Sequence, residues 1–458
     1  MRRDALLLAL LLLGSAQADP IDGVYLVDFH SHTERGPHLH DDGKEPLDKQ
    51  AERLKRVGFD VVFHTPHSDR NEDPALWKRQ REHELKGDWA LRRYLGEELT
   101  VEKGPNWAVL MARPNNDHLG VVGHDEWITH ALPLKAACEW AHAMGGTVTV
   151  NHPGPGPSLW EAGYWERRGL RDRIDAIEVC NGRLMHSVPL HSFQLYTRAV
   201  SYRGWGLKIA ALGGTDSHSA RESENAQVGT LVMAPAPTAR AIVEAVRQRR
   251  TFVLYRLLDL RLRCEQLGKV IRSKDVALEL VCSRKVSRIS LLREGTEIKS
   301  WVNTDRAVFK ERISTNAAYA WRIVDGKSGK RRAFSSAIWY EPSPPALPDL
   351  LVDVKASRVR GRTLTLAVRN VGSVPARDVI VEAWTGSPWK DGTRLARHTF
   401  AAVDAGGKQQ IVLKLAKRPV GRVFVRVDPD SYALDRNDDA IAELDERNNC
   451  ALLPNSGR

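Results

Sequence analysis

Val24-Tyr25-Leu26-Val27-Asp28-Phe29-His30-Ser31-His32 sets the reading of this chain. Val24 to Phe29 reads as a buried strand. The two histidines at its end stand at i and i+2, so both imidazoles point to the same side. Outward from there, Leu47 to Val57 reads as a helix stopped by Gly58, and Asp60 to Phe63 as a second buried strand. The rhythm repeats with a helix at Lys135 to Met144, a break at Gly145-Gly146 and a strand at Thr147 to Val150. Ile174 to Val179 and Ile209 to Leu212 read as further strands, and Thr238 to Arg249 as a closing helix. Strands alternating with helices predict an α/β domain with parallel strands. The histidine and carboxylate motifs follow the C-terminal ends of strands, where sites gather in α/β barrels.

The chain has 458 residues, enough for two or three domains. Arg2-Arg3, the apolar run Ala5 to Leu13 and Ala16-Gln17-Ala18 predict a secretory signal peptide over residues 1–18, and hence a periplasmic or extracellular protein. Nine apolar residues fall far short of the ~20 that span a bilayer. The five cysteines (Cys138, Cys180, Cys264, Cys282, Cys450) form no CxxC pair. Cys264 and Cys282 either bridge neighbouring strands or stay as buried thiols.

From Leu257 the pattern changes to period two, as in Leu258 to Cys264 and Val276 to Cys282, which put apolar residues on one face. Residues 257–341 read as a small β-domain, and the Pro-rich stretch 342–348 as a semi-rigid linker. Residues 349–458 have the size and pattern of a β-sandwich. The net charge of +11 is concentrated in residues 241–340, where 22 Lys and Arg meet 10 Asp and Glu. A polyanion or cell-surface partner is one reading, and a solvated basic face the other.

Fifteen of sixteen histidines lie in the first 218 residues, which assigns metal chemistry to residues 19–256. His67 follows the second strand. Glu98 supplies a carboxylate able to bridge cations, and Asp216 and His218 repeat the i, i+2 spacing behind Gly213-Gly214. Such a mixture suits Zn²⁺, Mn²⁺ or Fe²⁺, and neighbouring cations of this kind drive hydrolysis through a metal-bound hydroxide. Four arginines near these motifs, Arg35, Arg70, Arg183 and Arg221, are candidates for gripping phosphate oxygens. A surface salt bridge is the competing role for each.

Taken together, Asp28-Phe29-His30-Ser31-His32-Thr33, Gly58 to Val62 leading to His67, Glu98-Leu99-Thr100, His118-Leu119-Gly120, His152-Pro153, Asp175 to Val179 and Thr215-Asp216-Ser217-His218 resemble, in order and spacing, the motifs of the PHP (polymerase and histidinol phosphatase) superfamily. The resemblance implies a distorted seven-stranded (β/α)7 barrel holding two or three divalent metal ions. One ion would take His30, His32, Glu98 and Asp216, and a second would share Glu98 and take His118 and His152. A third would take His67 and His218, completed by His38, with His40 or Asp42 as alternatives. Glu98 and Asp216 are thus the expected catalytic carboxylates. His64 stands beside them as ligand, proton shuttle or neighbour, or simply as a buried strand-end histidine. The middle region resembles the β-domain of exported members related to carbaryl hydrolase. Pro348-Asp349-Leu350, Val368 to Gly372 and Leu444 to Asn449 resemble an immunoglobulin-like CARDB module. The implied activity is phosphoester hydrolysis on a small molecule. Ester, amide or carbamate hydrolysis is the first rival, and a non-catalytic surface binding protein the second.

Overall fold

The computed structural model describes residues 23–32, 47–66, 92–100, 118–124, 128, 134–153, 173–182, 189–219, 221–222, 227–326, 328–386, 388, 392–428 and 446–453. Among the described residues, nine strands and four α-helices belong to the first region. The strands are β1 (Gly23–Ser31), β2 (Val61–His64), β3 (Arg92–Thr100), β4 (His118–Val122), β5 (Thr147–Asn151), β6 (Ala176–Asn181), β7 (Ala210–Gly214), β8 (Val228–Ala234) and β9 (Thr251–Tyr255). The helices are α1 (Leu47–Val57), α2 (Leu134–Ala143), α3 (Pro189–Val200) and α4 (Ala239–Arg247). β1 is apolar from Val24 to Val27 and again at Phe29, as burial on both faces requires, with Asp28 between them. Leu26 packs with Leu54 and Phe59, while Val27 and Phe29 join Phe63 and Leu212 on the other side. Helix α1 turns Ala51 and Leu54 inward and ends at Gly58, whose φ of +107° and amide bond to the Leu54 carbonyl (3.1 Å) close its last turn. Helix α4 starts on Thr238, whose hydroxyl accepts from Ala241 N, and buries Ile242, Val243, Ala245 and Val246.

The expected (β/α)7 barrel is not what these elements build. Strand occupies 52% and α-helix 13% of the described residues, and the sheet is curled and mixed. β1, β2 and β3 run parallel, as do β5, β6 and β7, but β4 is antiparallel to both β3 and β5. β8 and β9 add antiparallel strands beside β1. The physical reason is that hydrophobic periodicity reports element type and is blind to strand direction. A helix can join antiparallel strands as well as parallel ones. The curl is real, however: a parallel bridge between Ser31 and Ser217 brings the chain beyond β7 back against the end of β1.

The sheet runs on past residue 256. Val253 on β9 pairs with Phe334 of strand Arg331–Ser335, and that strand continues to Ala317–Asp325 and the long hairpin Asp275–Arg293/Thr296–Arg312. Several basic residues of this region pair with acidic ones, as in Arg284–Asp325, Arg293–Glu311, Arg306–Glu279 and Arg322–Glu297. Beyond the linker, two four-stranded antiparallel sheets enclose Leu350, Leu366, Val381 and Val425 as a β-sandwich. All five cysteines are unbridged, Cys264 and Cys282 included. No helix among the described residues is long and apolar enough to cross a membrane. The expected signal peptide lies outside the described residues.

Candidate metal centre

Because β4 is reversed, the end of the sheet at which β1, β2, β5, β6 and β7 finish is also where β4 begins. His30, His32, His64, His118, His152, Asp216 and His218 therefore all belong to one rim. Two backbone bonds lock the rim where the sheet curls shut: His32 N donates to Ser217 O (2.9 Å), and Asp216 N donates to His30 O (2.7 Å). The Asp28 carboxylate rivets the same seam, accepting from Thr215 N at 2.9 Å and Thr215 Oγ1 at 2.6 Å. Burial pushes the Asp28 carboxyl up to about 7, although these donors pull the other way. Gly214 is required by the close approach: a Cβ there would stand 2.3 Å from His30 Cβ.

Three ligand atoms converge at this seam. His30 Nε2, His32 Nε2 and an Asp216 carboxylate oxygen lie within 4.8 Å of one another, and all three residues are buried. The two imidazole nitrogens are 3.2 Å apart, and Asp216 Oδ1 stands 3.6 Å from His30 Nε2 and 3.2 Å from His32 Nε2. Burial opposes ionisation of Asp216, but the rings of His30, His32 and His152 outweigh it and hold the carboxyl far below the usual carboxylate range. Asp216 adopts φ +50° and His152 φ +25°, left-handed backbone that costs a non-glycine residue energy and clusters at functional sites.

Neighbouring groups orient the donors. Glu178 Oε1 lies 3.3 Å from His30 Nδ1. A carboxylate can only accept, so the proton sits on Nδ1 and the Nε2 lone pair turns toward the cluster. The Asp216 carbonyl fixes His218 in the same way, 2.9 Å from its Nδ1. Glu178 Oε2 accepts from His152 N (2.6 Å) and from Asn181 Nδ2, and Asn181 Nδ2 also donates to Asp216 Oδ2 (both 3.2 Å). The His218 ring stacks on His32 at 4.1 Å, His152 on His30 at 5.4 Å, and His118 meets His152 edge-on at 5.2 Å. Inside the curl, a void of about 10 Å³ beside His30 and Glu178 has room for about one water.

Of the residues singled out from the sequence, His30, His32 and Asp216 form the tight group, and His118, His152 and His218 flank it. His64 is buried at the end of β2, in register with Ser31. Glu98 pairs through its backbone with Gly120 on β4, and its side chain lies outside the described residues. Arg221 is exposed three residues past His218. His38, His40, Asp42, His67, Arg35, Arg70 and Arg183 also lie outside the described residues. Glu178, Asn181 and the Asp28–Thr215 rivet carry structural roles that the motif reading did not assign, because those roles depend on which strands become neighbours.

No family model matches this sequence, and no curated protein matches it. Among solved structures, the chain is similar to PsfC from Pseudomonas syringae at 16% identity over 51% of this chain and 92% of that one, with a TM-score of 0.35. The CARDB domain of the PF1109 protein from Pyrococcus furiosus, solved in complex with di-metal ions, is similar at 16% identity over 25% of this chain and 97% of that one, with a TM-score of 0.19. The fibronectin(III)-like modules of Clostridium thermocellum CbhA are similar at 14% identity over 43% and 95%, with a TM-score of 0.16. Likeness at this level bears on no function, and none of it supports the PHP or carbaryl-hydrolase resemblance.

Proposed function

We propose that this protein is a metal-dependent hydrolase acting on phosphate esters, exported as its N-terminal sequence suggests. The observation that carries the reading is the buried convergence of His30 Nε2, His32 Nε2 and Asp216 Oδ1. Two imidazoles and a carboxylate suit Zn²⁺, Mn²⁺ or Fe²⁺, and the donor set fits because Glu178 fixes the tautomer of His30 and Asp216 Oδ1 stands 3.2 Å from His32 Nε2. A divalent cation held there supplies Lewis-acid stabilisation of the charge that builds on oxygen during hydrolysis.

The chain's own residues supply the rest. Glu178 and Asn181 keep His30 and Asp216 in fixed orientations, so that little reorganisation accompanies reaction. His118, His152 and His218 line the rim around the cluster, where they can donate to phosphate oxygens or hold a further cation. The order of motifs resembling the PHP superfamily supports phosphoesters over other substrates. The test is turnover by the purified full-length protein of p-nitrophenyl phosphate and bis-p-nitrophenyl phosphate, beside p-nitrophenyl acetate and an aryl carbamate. We expect phosphoester turnover that His32→Ala abolishes. Turnover confined to the acetate or the carbamate moves the reading to carboxyl esters, and no turnover of any of the four removes the enzyme reading.

A further inference from the structure

Four guanidinium groups from adjacent strands gather on one ledge of the sheet. β9 pairs with strand Arg331–Ser335, that strand with Ala317–Asp325, and that one with Asp275–Arg293. Directly opposite residues share a face. The register therefore sets Tyr255, Arg332, Val324 and Arg288 in one row across four strands. Arg322 stands two residues before Val324 and belongs to the same face. Arg256 follows Tyr255, and its guanidinium lies over the Tyr255 ring, 5.2 Å from the centroid. Two residues past Arg332, Phe334 packs against Phe193 of helix α3 at 4.3 Å. The helix covers that part of the face, while Arg256 and Arg288 on the ledge are exposed.

Charge on the ledge is unbalanced. Glu297 takes both Arg288 and Arg322, the second at 2.7 Å. One carboxylate thus holds two guanidinium groups at a fixed separation, with one positive charge in excess. Arg332 donates to the Gly329 carbonyl at 3.0 Å and Arg256 to the Gln227 side-chain carbonyl, both neutral acceptors. Neither of these two arginines is ion-paired among the described residues. Four cations against one carboxylate leave an excess of three over three strand spacings, roughly 14 Å.

The surroundings decide what such a row can hold. A guanidinium fork grips the paired oxygens of an anionic group. Several forks at strand spacing suit anionic groups repeated along a chain, which a single small anion does not offer. Single-stranded nucleic acid is held largely by stacking of its bases on aromatic rings. The aromatic ring in this row, Tyr255, is capped by Arg256.

We propose that this ledge binds an anionic polysaccharide lying across the strands, with Arg256, Arg332 and Arg288 meeting its acidic groups. Binding there needs no metal. Fluorescence anisotropy of the full-length protein with a labelled heparin oligosaccharide tests it, at about 0.15 M salt. Neutral dextran and a short DNA duplex are the comparisons. Arg256→Gln with Arg288→Gln removes two exposed cations from the ledge, and Lys355→Gln with Lys417→Gln removes two exposed cations from the sandwich. The heparin fragment should bind the wild type and dextran should not. The ledge variant should bind heparin at least about tenfold more weakly, with a salt slope smaller by about two. The sandwich variant should stay within about twofold of the wild type, because attraction to remote charges is screened. Arg332→Gln alone leaves the Glu297 pairs intact and should weaken binding in the same direction. All four residues of the double variants are exposed, so folding is retained, and a thermal melt checks it. Equal weakening in the two double variants, the signature of diffuse charge attraction, overturns the proposal. So does DNA bound as tightly as heparin through the same arginines, or no heparin binding up to about 1 mM.

Discussion

The Asn181 amide donates to Asp216 Oδ2 and Glu178 Oε2 at 3.2 Å each, from the last position of β6. One side chain thereby couples the carboxylate that faces the histidines to the carboxylate that orients His30. Glu178→Gln places an amide opposite His30 Nδ1 and weakens the preference for the tautomer that the cluster needs. Loss of such an orienting partner lowers metal affinity by roughly 10–100-fold, so competitive chelator titration of this variant should show a drop of that size while the melting temperature changes little. Gly214→Ala acts by volume. Its Cβ would stand 2.3 Å from His30 Cβ, and overpacking of this kind costs about 1–3 kcal/mol. Urea denaturation should show that loss, and chelator titration should show weaker metal binding, because the displaced atom belongs to His30.

At the scale of elements, the decisive feature is the seam where the curled sheet meets itself. Thr215 donates its hydroxyl and its amide to buried Asp28, joining the chain after β7 to β1. Thr215→Val keeps the shape and removes the hydroxyl, which leaves a buried carboxylate oxygen without that donor. A cost of about 1–3 kcal/mol in urea denaturation follows; a loss under about 0.5 kcal/mol would mean that the seam is held elsewhere. Much of the element layout was legible: Leu47–Val57 matches the helix read from periodicity, and β1, β5, β6 and β7 begin or end within two or three residues of the strands read from apolar runs. Strand direction was not legible, since apolar runs look alike in parallel and antiparallel neighbours, and this is where the barrel expectation failed. The site divides along the same line. His30-x-His32 and Asp216-x-His218 were visible because i, i+2 spacing is a local property of a strand end. Glu178 sits in an equally apolar strand, and only the placement of β6 between β5 and β7 reveals what it does.

Over the whole molecule, buried charges join the sandwich to the first region. Glu139 on α2 stands 3.6 Å from Arg173 Nε and 3.3 Å from Arg426 Nε, all three side chains at most 7% exposed. Removing one partner of a buried ion pair costs about 3–5 kcal/mol, so Glu139→Gln should lower stability by about that much. Nearby, His142 Nε2 lies 2.8 Å from Asp175 Oδ2, with Arg447 of the sandwich 3.6 Å from Asp175 Oδ1. Burial would raise the Asp175 carboxyl, but His142, Arg447 and Arg247 together hold it down at about 2. A depressed carboxyl stabilises the fold above its unfolded value, and that contribution fades as pH falls from about 4 toward 2. It amounts to about 2 kcal/mol at neutral pH, so the stability gap between wild type and Asp175→Asn should shrink between pH 6 and pH 3 in urea titrations.

The claim that His30, His32 and Asp216 hold a catalytic metal is tested most directly by elemental analysis of the full-length protein purified without chelators. We predict at least one equivalent of zinc, manganese or iron per chain, and its loss in folded Asp216→Ala. Less than one equivalent in the wild type, or an unchanged content in the variant, would contradict the claim.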